Sequence, residues 1–161
     1  MFNRELKPPS KPMPPFCLFP VGSWAAITAV MLMIFCVNLL AFTIFHLIHL
    51  DSNSNSVVYI ELAIIFLFIW VLCHLTFMVT RGSVYSNTLL LKFNHLCLVI
   101  LLSGNVIAII SRDFGAAGIA ATGLICGFIA HQIYRSKKYQ KWVEHYEVIW
   151  AHHRWNNRKI K

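Results

Sequence analysis

The sequence predicts an all-α membrane protein: an antiparallel four-helix transmembrane bundle followed by a C-terminal amphipathic helix. Three observations carry this reading. Of 161 residues, 58% are hydrophobic and only 12% are charged, whereas a soluble domain is roughly a quarter charged. Four apolar runs, at 21–50, 57–80, 88–110 and 114–134, each reach the about 20 helical residues that cross the hydrocarbon of a bilayer. The connections between the runs are short and polar, which makes successive spans antiparallel neighbours. Together the spans leave no room for a separate soluble domain. The net charge of +8 would suggest nucleic acid on a soluble protein. Here it sits outside the spans, where orientation and anionic lipid account for it, and no nucleic-acid partner is expected.

Residues 1–20 form a Pro-rich arm that holds all six prolines and favours an extended conformation. The apolar run behind it is too long for the core of a signal peptide and lacks a small-residue cleavage site. Span 1 exceeds the length required, so it tilts or projects. Trp24 suits an interfacial anchor, and Asn38, His46 and His49 interrupt the far half. The loop DSNSNS, 51–56, leads to span 2, which carries Glu61 and His74.

A polar turn, Arg81–Asn87, leads to span 3, where Asn94 and Asn105 lie eleven residues apart, close to three helical turns. Lys92, His95 and Ser103 fill the neighbouring arc. Ionisable groups within a span are costly and mark candidate functional positions. This polar side is therefore expected to face protein rather than lipid.

Span 4 follows the tight turn Ser111-Arg112-Asp113. Its small residues Ala116, Ala120, Gly123, Gly127 and Ala130 recur every three or four positions and include a G-x-x-x-G pair. Such a stripe lets helix backbones approach closely in lipid. It is expected either to pack within the bundle or to dock a partner or a second copy. The tail, 135–161, holds eight of the fourteen Lys and Arg. Its aromatic residues recur at near-helical spacing, which suggests an amphipathic helix on the membrane surface.

Basic residues set the orientation. With the N-terminus inside, thirteen of the fourteen fall on the inner side and Arg112 alone falls outside. Both termini are therefore expected in the cytoplasm. A cell inner membrane or plasma membrane is favoured over the endoplasmic reticulum.

Two constellations suggest chemistry. His74 and His95 lie at matched depth, roughly 10 Å from one end of adjacent helices. They would suit axial ligation of a haem b, or a metal together with Cys73 or Cys97. At the other face His46, His49 and Glu61 make a weak candidate for a divalent metal. No Ser-His-Asp elbow, HExxH or phosphate-binding glycine loop is present, so neither enzyme activity nor a cofactor is expected. The five cysteines form no CxxC pair, and a disulfide framework is not expected.

The segment Ala130–Trp142, AHQIYRSKKYQKW, resembles the end of the last span in the Jagunal family of endoplasmic-reticulum proteins, which also have four spans and a basic tail. The terminal Arg158-Lys159-Ile160-Lys161 is similar to a dilysine-type retrieval signal. The resemblance covers about a dozen of the 161 residues, and span 1 departs from the family. It implies a trafficking role if the chain is eukaryotic. The leading expectation is a non-enzymatic membrane protein, an accessory subunit or an immunity or exclusion type of protein. It would recognise another integral membrane protein, or a second copy, through helix faces. The haem anchor is the alternative.

Overall fold

A computed structural model describes residues 11–15, 17, 19–47 and 55–159 of the chain. It contains five helices: α1 (Ser23–Leu47), α2 (Asn55–Thr80), α3 (Val84–Ile110), α4 (Phe114–Arg135) and α5 (Lys137–Lys159). The first four are long and apolar enough to cross a membrane. A helix is one of only two forms that satisfy the backbone of a spanning segment internally. In the bundle, α4 lies between α1 and α3, while α2 packs on α1 and α3. The apolar core runs along this interior, from Ala29, Met33 and Val37 on α1 to Leu90 and Leu101 on α3.

The turns explain where the helices end. After α2, Ser83 N–H bonds to Met78 C=O at 3.1 Å and Gly82 N–H to Val79 C=O at 2.9 Å. This is a Schellman ending with Gly82 in the left-handed region, φ +73°. After α3 the pattern repeats, with Asp113 N–H bonding to Ala108 C=O at 2.9 Å. There a non-glycine, Arg112, takes the left-handed position at φ +57°. Ser83 then caps α3 by accepting from Ser86 N–H, and Asp113 caps α4 by accepting from Ala116 N–H at 3.0 Å. The Ser83 cap starts α3 at Val84, so the connection expected at Arg81–Asn87 shortens to three residues. Ser136 serves both neighbours: its N–H closes α4 on Ile133 C=O, and its Oγ accepts from Tyr139 N–H to open α5.

The C-terminal helix expected after the last span is present as α5. Its aromatic side faces the protein's own bundle, with Tyr139, Trp142 and Val143 in the core cluster. Trp150 Nε1–H reaches back to Thr80 C=O at 2.8 Å. Two glycines with positive φ make room. A Cβ on Gly22 would collide with the Lys138 carbonyl, and one on Gly82 would lie 2.9 Å from Trp150 Cβ and 3.1 Å from Tyr146 O. The same contact explains the two turns: Gly82 sits under α5 and has no room for a side chain, whereas Arg112 lies at the exposed end and keeps one. Burial holds the Tyr139 phenol well above its ordinary range, so it remains neutral in this contact. The arm joins the same assembly through a Lys11–Glu144 ion pair, mostly in solvent.

Candidate functional site

The small stripe of α4 is spent inside the bundle. Ala116, Ala120, Gly123, Gly127 and Ala130 are all buried. A Cβ on Gly123 would meet Leu101 Cδ1 of α3 at 3.1 Å and Leu39 Cβ of α1 at 3.2 Å. At Gly127 it would meet Leu98 Cδ2 at 2.9 Å and Cys36 Sγ at 3.0 Å. The absence of side chains lets α4 sink between two helices at once, and Gly104 does the same for α3 against Thr43 of α1.

The two aligned asparagines of α3 clamp α4 in register. Asn94 Nδ2 donates to Gly127 C=O at 3.3 Å and Asn105 Nδ2 to Ala117 C=O at 2.8 Å. In hydrocarbon such side chain to backbone bonds hold helices together where the hydrophobic effect cannot. Asn94 is fully buried, and its Oδ1 has no hydrogen-bond partner among the described residues.

The histidines fall into three settings. His74 is exposed on α2 with its ring stacked on Trp70, centroids 5.7 Å apart. His95 meets His131 of α4 edge to face at 4.6 Å. The ring contact of His95 thus runs across the α3–α4 seam to His131, and that of His74 is with Trp70 of its own helix. Lys92 lies exposed one turn from His95, and Arg135 one turn from His131. Among the described residues, no group of three or more His, Cys, Asp or Glu is arranged to hold a metal.

His46 occupies the third setting. Its Nε2 bonds to Asp113 Oδ2 at 2.6 Å, tying the end of α1 to the cap of α4, and its ring stacks on Phe42. His49 lies outside the described residues, and Glu61 is half-buried on α2. The Ala116 N–H and then His46 hold the Asp113 carboxyl below its ordinary range. A lowered carboxyl adds stability above the ordinary carboxylate range and loses it as pH falls through the lowered value. Hydrogen exchange at Ala116 and Ala117, corrected for intrinsic rate, should therefore step up on acidification below about pH 4. In Asp113→Asn, which retains a capping oxygen, the step should vanish. An equal step in that variant would show that another group is responsible.

His131 is the least legible of these residues in the sequence. It stands among Gln132, Tyr134 and Arg135 at the end of a span, where it looks like ordinary boundary composition. The available signal was the spacing Leu124, Phe128, His131, Arg135, which places all four on one side of α4.

Comparison with family models, curated proteins and solved structures finds no match to this chain.

Proposed function

We propose that this chain is a non-enzymatic membrane subunit that recognises another integral membrane protein through the outward face of α2. An accessory subunit, or an immunity or exclusion type of protein, requires no more than this. The observation that carries the reading is His74: an imidazole exposed on the apolar side of α2, its ring stacked on Trp70. An ionisable or polar side chain facing hydrocarbon is costly, and a partner helix offering a hydrogen bond removes the cost. Tyr59, Phe66, Trp70 and Phe77 are exposed along the same stripe. α2 is also the least buried of the four spans, whereas the stripe of α4 is already filled. The reading includes both termini in the cytoplasm, for which the thirteen-to-one distribution of basic residues is the support.

Cys73 is exposed beside His74 and provides the test. In a Cys17→Ser background, a thiol crosslinker applied to membranes of the native host should give one discrete product through Cys73. Trp70→Ala and His74→Leu should reduce that product severely at unchanged abundance, since a truncated interface anchor typically costs about 2 kcal/mol or more. A product of twice the monomer mass would identify the partner as a second copy. Recovery of uncrosslinked monomer alone would refute the proposal.

A further inference from the structure

We propose that the outer groove between α3 and α4 is a binding site for one acidic glycerophospholipid, with an acyl chain in the groove and the phosphate on Lys92, His95, His131 and Arg135. This inference stands apart from the α2 reading, since it concerns a different face of the bundle.

The groove has a volume of about 460 Å³ and is walled only by apolar side chains, including Leu98, Val99 and Leu102 of α3 and Leu124 and Phe128 of α4. That volume lies within the roughly 300–1,000 Å³ of ordinary ligand clefts. Its walls continue into the basic residues by helical spacing. On α3, Lys92 and His95 precede Val99 and Leu102 at intervals of three and four. On α4, Leu124 and Phe128 precede His131 and Arg135 in the same manner. The Asn94–Gly127 and Asn105–Ala117 clamps set the two helices antiparallel, so both basic pairs arrive at the same end of the groove.

The ring contact of His95 with His131 joins the two pairs across the seam. His131 is only 9% exposed, and among the described residues its Nδ1 has no hydrogen-bond partner. Lys92 and Arg135 are exposed on the same side. Neither α3 nor α4 contains a single Asp or Glu, so no carboxylate on these helices neutralises the cluster.

Position along the span agrees with a phosphate. Lys92 stands eight residues into α3, which is roughly 12 Å from the end nearest α5. A lysine or arginine at such a depth extends its charge toward the interface while its stem covers apolar surface. Anionic headgroup and hydrocarbon tail are thus recognised by adjoining parts of one surface. A free phosphate would use only the basic end, and a zwitterionic lipid would present its own cation to four basic groups.

The full chain in detergent, equilibrated with phosphatidylglycerol and phosphatidylcholine of identical acyl chains, provides the test by native mass spectrometry. One phosphatidylglycerol should be retained in preference to phosphatidylcholine. Lys92→Gln with Arg135→Gln should lower that preference on the order of tenfold, because two of the cations around the phosphate are lost. Both residues are exposed, so the core remains intact. Val99→Trp, which fills the groove without altering charge, should lower retention of both lipids. Lys138→Gln with Lys141→Gln on α5 should change nothing. Equal retention of the two lipids in the wild type would overturn the site. So would a loss produced by the α5 pair alone, or palmitate binding as well as phosphatidylglycerol.

Discussion

Gly127→Leu should unfold or strip the bundle, whereas Phe128→Leu, one residue away, should leave it intact. A Cβ at Gly127 already lies 2.9 Å from Leu98 Cδ2 and 3.0 Å from Cys36 Sγ, and leucine adds three further carbons beyond it. Inserting even single methylenes into a packed core costs about 1–3 kcal/mol. Four carbons between two helices should exceed the upper end of that range. Lipid offers no compensation, because its tails are as apolar as the side chain. Phe128 is mostly exposed on the groove side, so its truncation should stay within about 0.5 kcal/mol. The check is the unfolding midpoint in a denaturing detergent titration, together with abundance in the membrane. Gly123→Leu should behave like Gly127→Leu, since Leu101 and Leu39 crowd it from the same two helices.

The second large effect is expected at the docking of α5. Trp142 is buried and its ring packs against Tyr139 and Tyr146. Trp142→Ala should cost about 3–5 kcal/mol, the usual range for a large aromatic removed from a core. Gly82→Ala should act from the other side of the same contact. A left-handed backbone alone costs a residue with a Cβ roughly 1–2 kcal/mol, and the added carbon also meets Trp150 and the Tyr146 carbonyl. The four spans should remain assembled in both variants, because their clamps do not pass through α5. The measurement is trypsin cleavage between Lys137 and Lys141: slow in the wild type, fast in both variants. Equal protection in all three would mean that α5 is held by lipid and not by the bundle.

These two expectations mark how far the sequence was legible. Span number and order follow from apolar run length, which reports directly on bilayer thickness. The eleven-residue spacing of Asn94 and Asn105 also carries through: both side chains bond to α4, at Gly127 and Ala117. What spacing cannot encode is which neighbour a face meets. The α4 stripe reads the same whether α1, α3 or a foreign helix fills it. The aromatic series from Tyr139 to Trp150 likewise reads the same against headgroups or against protein. Gly22 and Gly82, both at the α5 end, were the hint that something packs on those turns, but each alone resembles an ordinary turn glycine. The depths of His74 and His95 are computable from sequence, whereas the contact of His95 with His131 depends on how α3 and α4 are clamped together. The Ser83 cap was hidden because serine and asparagine signal a loop as readily as a helix start.

The small-residue stripe of α4 is buried against this protein's own α1 and α3, and the proposal that a partner docks on α2 builds on that packing. Gly127→Cys tests it most directly. The introduced side chain would place its Cβ 3.0 Å from Cys36 Sγ, close enough for a disulfide. Mild copper-phenanthroline oxidation in the membrane should give a monomer lighter by two hydrogens, with peptides from α1 and α4 linked. Phe128→Cys, on the exposed side of α4, should not form this bond. A disulfide-linked species at twice the monomer mass from Gly127→Cys, with no internal link, would show instead that the α4 stripe joins two copies of the chain.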